Sequence, residues 1–323
     1  MLRASVLAVY FHARSLILVL MIAQQNPFAY NIDALNAKVY DDPTRVSGER
    51  SSYFGFSVAL YTSAEESLLL VGAPRANSSE LPFVIEPGTV FKCPMNGVCR
   101  EWMIDKTGNG LHPRERLINQ IKDNAWIGAT IAVENKTEPR VVITSKNDIG
   151  IYNFGMGQIG FSLHMNSLRY DVNVMLGAPG VYNWKGDAIL TNALINEPFS
   201  RTIIPSPARE QQIHSYNYLG YAVTAGTYFK ERDVWYASSA PKSANMYGKV
   251  LVFAFPPKTN QRMFIKTILY GQQYGEYFGA ALTSCDVNND RRHELIIGAP
   301  QWSRDMDEGL VYIFTGRRNV LYL

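Results

Sequence analysis

Apolar residues along this chain occur in short runs separated by Gly, Asn, Asp and Ser, and helical periodicity is absent between the runs. The runs are rich in Val, Ile, Tyr and Phe, which favour β-strands. Glycines at the intervening positions suit the turns of β-hairpins. The pattern therefore predicts an all-β chain built from consecutive hairpins.

A unit of roughly sixty residues repeats along the chain. Each copy opens with an aromatic-rich glycine motif, continues with an apolar run that ends in Gly-Ala-Pro or a variant, and adds a third strand. The second copy is short and ends in RVVITS instead of Gly-Ala-Pro. The copies lie near residues 52–104, 122–147, 156–195, 214–256 and 273–316. Sheets of three or four strands recurring at this interval are typical of β-propeller blades.

The N-terminus has the pattern of a secretory signal. Arg3 supplies a weak positive region, and the apolar stretch Ser15–Ala23 is too short to span a bilayer. We therefore predict a signal peptide over residues 1–23, followed by the β-repeat region over 28–323. A buried N-terminal strand is the alternative.

Cysteine and asparagine usage fits an exported chain. Cys93 and Cys99 flank a tight-turn sequence and would form a disulfide in an oxidising compartment, although half of a metal site is also conceivable. Cys285 is predicted to be unpaired and buried. Asn77 and Asn135 begin N-glycosylation triplets, which also occur by chance.

Composition and motifs exclude several classes of function. The net charge of +3, with no basic run, argues against a nucleic-acid partner. The stretch Gly155–Gly160 matches G-x-G-x-x-G, but a strand follows it where a dinucleotide site needs a helix. The sequence lacks zinc-spaced histidines, a Walker loop and a G-x-S-x-G elbow. We expect neither catalysis nor a small-molecule substrate.

The paired motifs resemble the FG-GAP propeller of integrin alpha subunits. The resemblance rests on SYFGFSVAL, LLVGAPRANSS, CPMNGVC, LGAPGVYNWKG, YLGYAV and DEGLVYIF, and it runs from about Tyr30 to Gly316. Within this family the sequence is most similar to the insect position-specific alpha chains. Like the alpha chains that lack an I domain, it has no inserted domain between the second and third repeats. The resemblance implies a seven-bladed FG-GAP β-propeller, of which this sequence contains about five repeats, as a truncated chain would.

The resemblance also implies a set of partner-binding aromatic residues. In integrins, rings at the mouth of the propeller channel receive a basic residue from the beta subunit, and a ring of π-faces suits such a cation. Simple filling of the core is the alternative role for these rings. The matching residues are Tyr53, Phe56, Trp126, Phe161, Tyr218, Tyr221 and Tyr277.

Ligand contacts are expected in the upper loops of the propeller. The position of the family's aromatic patch corresponds to Tyr182, Asn183 and Trp184, which could also be loop residues with no ligand role. Carboxylates that read the arginine of Arg-Gly-Asp ligands are missing at the matching positions, near Gly150–Tyr152 and His214–Tyr216. The resemblance therefore does not predict a simple Arg-Gly-Asp reader.

One loop of the fifth repeat carries oxygen ligands at the spacing that Ca²⁺ prefers. Asp286, Asn288, Asp290 and Glu294 occupy positions 1, 3, 5 and 9, and the carbonyl of Arg292 could supply position 7. Integrin calcium loops have this form, although here Arg291 replaces the usual turn glycine and Glu294 the final aspartate. We predict one structural Ca²⁺ site, with a polar hairpin turn as the alternative.

Together these features predict the ligand-binding head of an integrin alpha subunit. Such a chain would be a glycoprotein adhesion receptor on the extracellular face of the plasma membrane. Its partners would be an integrin beta subunit and an extracellular-matrix protein. The alternatives are a soluble decoy that binds the beta subunit and a secreted FG-GAP phospholipase-like protein. No transmembrane helix is predicted within this sequence, so this chain alone would be secreted.

Overall fold

The computed structural model describes residues 37–45, 51–111, 119–134, 140–144, 158–168, 171–192, 213–231, 233–254, 264–306, 308–317 and 320–323. The predicted signal peptide over residues 1–23 and the triplet at Asn135 lie outside these ranges. Within the described ranges, no helix is both long and apolar enough to cross a membrane.

The described chain is dominated by antiparallel β-strands, which confirms the predicted fold class. The strands are β1 (Ser57–Thr62), β2 (Ser67–Ala73), β3 (Thr89–Pro94), β4 (Arg100–Glu101), β5 (Gly110–Leu111), β6 (Asn119–Gln120), β7 (Thr130–Glu134), β8 (Arg140–Thr144), β9 (Ser162–Leu168), β10 (Asp171–Ala178), β11 (Asp187–Asn192), β12 (Val223–Gly226), β13 (Trp235–Ala240), β14 (Lys249–Ala254), β15 (Phe264–Tyr270), β16 (Ala281–Cys285), β17 (Glu294–Ala299), β18 (Leu310–Arg317) and β19 (Val320–Tyr322). Two four-residue helical turns, α1 (Val181–Trp184) and α2 (Ser243–Met246), connect strands of the third and fourth repeats.

Each repeat forms its own meandering sheet. We call them sheet 1 (β1–β4), sheet 2 (β7–β8), sheet 3 (β9–β11), sheet 4 (β12–β15) and sheet 5 (β16–β19). In sheet 1 the register pairs Ser57 with Gly72, and in sheet 5 it pairs Ala281 with Gly298 at the equivalent place. A small separate pair, β5–β6, precedes sheet 2.

The first strands of successive sheets are neighbours in space. Contacts join β1 to β7, β7 to β9, β9 to β12, and β12 to β16. Consecutive four-stranded or three-stranded sheets that place their first strands side by side have the arrangement of propeller blades. The sequence repeat therefore corresponds to a structural repeat.

Hydrophobic cores lie between adjacent sheets rather than within one central core. Each sheet presents alternate apolar side chains to its neighbours, as the two-residue period of a strand requires. Between sheets 4 and 5, Val250 and Val252 lie in one cluster with Leu295 and Ile297, and all four are fully buried. Similar clusters join sheets 1 and 2, 2 and 3, and 3 and 4.

The motif glycines lie just before the first strands of the sheets rather than within them. Gly55, Gly128, Gly160, Gly220 and Gly279 all have φ between 84° and 91°. At Gly220, a Cβ would lie only 2.0 Å from the carbonyl oxygen of Asp187 in the preceding sheet. Positive φ and close backbone approach together require glycine there.

Candidate functional site

The residue two positions before each motif glycine adopts a left-handed conformation in all five repeats. These residues have φ between 53° and 62°, and they are Tyr53, Trp126, Gln158, Tyr218 and Tyr277. Bulky residues rarely adopt positive φ, which costs roughly 1–3 kcal/mol. Hydrogen bonds stabilise the turn, since Tyr221 N donates to Tyr218 O at 3.2 Å and Gly220 N donates to Ser239 O at 2.9 Å. The turn places four aromatic rings at equivalent ends of the sheets.

The predicted aromatic residues form two groups of ring contacts. In the first group, the Trp126 ring lies 6.0 Å from that of Tyr53 and 5.7 Å from that of Phe56. In the second group, the Tyr221 ring lies 5.1 Å from that of Phe161 and 5.3 Å from that of Tyr277. The structure thus brings rings from different repeats together.

The seventh predicted ring, Tyr218, contacts an upper turn. Its ring centroid lies 5.5 Å from that of Trp184.

Burial, reinforced by the neighbouring rings of Tyr221 and Tyr218, raises the pKa of the Tyr277 hydroxyl well above its ordinary value. A protonated phenol presents a neutral π-face to a cation.

Two cations of the chain itself already lie over rings of this set. The guanidinium carbon of Arg75 is 5.4 Å from the centroid of Tyr53, and Nζ of Lys242 is 4.3 Å from that of Tyr218. Each of these cations directly follows the proline that comes after the second strand of its repeat. Sequence alone did not indicate these cations, because the residue after the proline is basic only in the first and fourth repeats and is Gly180 or Gln301 in the third and fifth.

The residues predicted to contact ligand lie in α1. Tyr182, Asn183 and Trp184 all have positive φ, between 52° and 59°, so this turn is left-handed. Asn183 is exposed, while the two aromatic residues are partly buried. The equivalent residues of α2, from Ala244 to Met246, repeat this conformation, with φ between 53° and 71°. A glycine at positive φ follows soon after each turn, at Gly186 and Gly248.

The predicted metal loop folds tightly around its first aspartate. The carboxylate of Asp286 accepts hydrogen bonds from the backbone N–H groups of Asp290 at 3.1 Å and Arg291 at 2.8 Å. Arg291 has a φ of 67°, so it adopts the left-handed conformation for which glycine is usual at this position. Asn288 Oδ1 also accepts from the N–H of Asp290, at 2.9 Å. These hydrogen bonds close a tight turn around the side chains of Asp286 and Asn288.

The last two carboxylates of this loop have different surroundings. Glu294 is buried and accepts hydrogen bonds from Val287 N at 2.8 Å and from Asn288 Nδ2 at 3.1 Å. Asp290 pairs with the Arg292 guanidinium at 2.6 Å, and this hydrogen bond holds the pKa of Asp290 below its ordinary value. Among the described residues, no group of three or more His, Cys, Asp or Glu side chains is placed to hold a metal. The side chains of the loop carry oxygen donors, the kind that a hard cation takes, but here Asp290 is paired with Arg292.

The structure joins Cys93 and Cys99 by a disulfide, which confirms the predicted pairing. Cys285 is unpaired, as predicted, but the prediction that it is buried was wrong, because the free thiol is exposed. Cys285 ends β16, where alternate side chains turn away from the core of sheet 5, so the period of the strand exposes it. Asn77 is exposed, and its Oδ1 accepts a hydrogen bond from Glu86 N at 3.0 Å.

Comparison with known proteins agrees with the repeat and its motifs. Residues 278–314 match the FG-GAP repeat family. Integrin alpha-8 of Gallus gallus is 27% identical over 88% of this chain, and integrin alpha-5 of Xenopus laevis is 28% identical over 85%. Integrin alpha-PS3 of Drosophila melanogaster is 23% identical over 90% of the chain.

These similarities cover most of this chain but only part of the relatives. The chain spans about a third of their length, from 31% of integrin alpha-8 to 33% of integrin alpha-PS3. Its described sheets, glycine turns and disulfide fall within the region that the motifs identify. The chain carries an FG-GAP repeat and is similar to integrin alpha subunits along almost all of its length.

Proposed function

We propose that this chain is the ligand-binding head region of an integrin alpha subunit. In this role it is a non-enzymatic part of an adhesion receptor, pairs with an integrin beta subunit and binds an extracellular-matrix protein. It acts on the extracellular face of the plasma membrane as part of the heterodimer. The observation that carries the proposal is the set of aromatic rings at the left-handed starts of the repeats.

The aromatic rings provide a physical basis for pairing with a basic side chain. Each ring with a neighbouring ring offers a π-face and apolar surface for the stem of an Arg or Lys. Arg75 over Tyr53 and Lys242 over Tyr218 support this chemistry, because cations of the chain itself lie against rings of the same set. The group around Tyr221 is assigned to the beta subunit's basic residue, since Phe161 and Tyr277 both contact its ring.

A structural calcium ion belongs to the same proposal. Asp286, Asn288, Asp290 and Glu294 would supply side-chain oxygens, and Arg292 would supply its carbonyl. The loop lies between β16 and β17, at the opposite end of these strands from the Tyr277 turn. The ion would therefore stiffen the hairpin of sheet 5 and would not contact a partner at the aromatic end.

Carbohydrate at Asn77 is also assigned to this extracellular chain, because its side chain is exposed beside β2. The soluble-decoy and phospholipase-like alternatives are not favoured. The similarity to integrin alpha subunits extends over most of the chain, and no described residues form a group that points to phospholipase chemistry.

The test is co-purification with an integrin beta headpiece in buffer containing calcium and magnesium. The wild-type chain is expected to co-purify, and the double variant Tyr218→Ala/Tyr221→Ala is expected to lose the beta subunit. Tyr322→Ala is the matched control, since Tyr322 is about half exposed on the outermost strand of sheet 5. Equal recovery of the beta subunit by wild type and double variant would contradict the proposed role of the rings.

A further inference from the structure

The loop that connects β2 to β3 in sheet 1 displays apolar side chains to solvent. Phe83 is 94% exposed and Ile85 is 65% exposed, whereas Leu81 and Val84 of the same loop are buried. Removal of apolar surface from water is favourable. A group that covers Phe83 and Ile85 would therefore stabilise the folded chain.

Hydrogen bonds fix this β2–β3 loop in place. Val84 N donates to Leu81 O at 3.1 Å. Ile85 is held from both sides, since its N–H donates to Asp123 Oδ1 at 2.8 Å and its carbonyl accepts from Asn124 N at 2.8 Å. Leu81 and Val84 also lie together in one buried cluster. Any movement of the loop that buried its exposed ring would break these contacts.

An acceptor site for carbohydrate lies on the same groove as the exposed ring. The groove has a volume of about 570 Å³, and Asn77, Phe83 and Ile85 are among the residues that line it. Cavities of this size commonly hold small ligands. Asn77 is exposed and begins an Asn-Ser-Ser triplet, the acceptor pattern for N-linked carbohydrate. Carbohydrate on Asn77 would therefore start within the groove that exposes Phe83.

The Asn77 amide is held in one position by the far end of the loop. Its Oδ1 accepts a hydrogen bond from Glu86 N at 3.0 Å. Glu86 is held in turn by Arg75, whose Nε donates to Glu86 Oε2 at 2.9 Å. Carbohydrate joins asparagine through Nδ2, the other end of the amide, so attachment leaves the hydrogen bond from Glu86 intact. The first sugar would therefore begin from a fixed point.

The first sugar of N-linked carbohydrate, N-acetylglucosamine, suits an aromatic ring. The faces of its pyranose ring carry axial C–H bonds, whose positive hydrogens are attracted to the negative face of an aromatic ring. Its hydroxyl groups lie around the edge of the sugar and stay in water. Such a contact buries apolar surface of Phe83 without leaving a polar group unpaired.

We propose that carbohydrate attached to Asn77 packs against Phe83 and Ile85 and covers the exposed apolar surface of the β2–β3 loop. The proposal rests on the function proposed above, because that function takes the chain through the secretory pathway. In the attachment, Asn77 Nδ2 loses a proton and bonds to the anomeric carbon of a lipid-linked oligosaccharide diphosphate, and the bond from that carbon to the diphosphate breaks. The first sugar makes the contact with the Phe83 ring.

The experiment uses the full chain, secreted from eukaryotic cells grown with a mannosidase inhibitor, with Asn135→Gln so that Asn77 begins the one remaining triplet. Mass spectrometry is expected to find carbohydrate on the peptide that contains Asn77. Endoglycosidase H then leaves a single N-acetylglucosamine. Its ring protons are expected to resonate upfield of those of the free sugar in NMR spectra, because an aromatic ring shields protons above its face. Absence of carbohydrate at Asn77, or unshifted sugar signals, would overturn the proposal.

Substitutions assign the contact to one ring. Phe83→Leu keeps an apolar side chain but removes the aromatic ring, so the upfield shift is expected to disappear. Phe264→Leu is the matched control, since Phe264 is about half exposed on β15 of sheet 4, and it should retain the shift. Loss of the shift in both variants would contradict the assignment to Phe83.

Stability gives a second, independent measurement. Removal of the remaining sugar with peptide N-glycosidase F is expected to lower the thermal unfolding midpoint by about 2 °C. The decrease should be at least halved in Phe83→Ala. The enzyme converts Asn77 to aspartate in both chains, so the added charge cancels in the comparison. An equal decrease in the two chains would show that the sugar stabilises the fold without contacting Phe83.

Two further measurements separate this proposal from others. Recovery of the beta headpiece by Phe83→Ala is expected to equal that of wild type, so failure of beta pairing and failure of the sugar contact are distinguishable. Sedimentation of the glycosylated chain tests a second copy as the occupant of the groove. If Phe83→Ala converts a dimer to a monomer, the groove is a contact between copies and the carbohydrate proposal is wrong.

Discussion

The hydroxyl of Ser162 donates a hydrogen bond of 2.9 Å to the carbonyl oxygen of Gly220, which lies 58 positions later in the chain. Ser57 makes the same contact with Gly128 at 2.7 Å. Thr130 makes it with Gly160 at 3.0 Å. In each case, a hydroxyl two residues after one motif glycine bonds to the motif glycine of the next repeat. These bonds connect the inner strands of neighbouring sheets.

We expect Ser162→Ala to lower the free energy of unfolding by about 1 kcal/mol, because the Gly220 carbonyl loses its donor from the adjacent sheet. Urea denaturation followed by tryptophan fluorescence measures the change. Ser67→Ala is a suitable control, since Ser67 is exposed at the start of β2 and its hydroxyl makes no described contact with another sheet. Equal effects of the two substitutions would show that the inter-sheet bond does not contribute to stability.

Gly220→Ala should destabilise the chain by at least about 2 kcal/mol, through left-handed strain and through the clash with Asp187 O. Gly108→Ala offers a matched comparison, because a Cβ there meets nothing within 4 Å. Gly108→Ala should change the free energy of unfolding by no more than about 0.5 kcal/mol. Thermal unfolding of both variants under one buffer condition gives the comparison. If Gly220→Ala left the thermal unfolding midpoint unchanged, sheets 3 and 4 would not approach each other as closely as described.

The stability of the chain should decrease below pH 6.5 because of His164. Burial, with a smaller contribution from the charge of His293, lowers the pKa of His164 from 6.5 to about 4. Between these values the unfolded chain binds more protons than the folded chain, so acid favours unfolding. The full effect is about 3 kcal/mol and is reached near pH 4.

His164→Gln should remove much of this pH dependence when unfolding is measured from pH 7 to pH 4. In the folded chain, His164 Nδ1 lies 3.4 Å from Thr224 Oγ1, so glutamine retains a polar side chain at this position. His214→Gln serves as the control, since His214 is exposed. If both variants kept the wild-type pH profile, another group would account for the acid sensitivity.

Calcium should raise the thermal unfolding midpoint of the wild-type chain, because an ion that binds only the folded loop stabilises it by mass action. Asp286→Asn should abolish most of that increase, since Asp286 carries the first carboxylate of the loop. Arg292→Gln should strengthen the response, because it frees Asp290 from its ion pair and retains the backbone carbonyl.

The comparison is made by differential scanning fluorimetry with calcium and with a chelator. Asp233→Asn provides a control carboxylate in another hairpin loop, where it pairs with Lys230. A calcium response that persists in Asp286→Asn would place the ion elsewhere. Absence of any response in wild type and Arg292→Gln would leave the loop as a polar hairpin turn.

The sequence by itself determined the fold class and most strand positions, because both depend on local patterns. The apolar run before Pro74 became β2, and the run before Pro300 became β17. The disulfide was also predictable, since Cys93 and Cys99 flank a short segment whose residues favour a tight turn. Such a turn brings the two cysteines close together. Recurrence of the glycine motifs identified the repeat without knowledge of how the sheets pack.

Tertiary structure decided the features that depend on contacts between repeats. Lys242 lies over Tyr218, and Ser162 bonds to Gly220, only because neighbouring sheets place their ends together. The exposure of Cys285 likewise depends on which face of β16 meets another sheet, and local hydropathy does not specify that face. Sequence patterns record the preferences of each strand, whereas distances between sheets arise from packing of residues far apart in the chain.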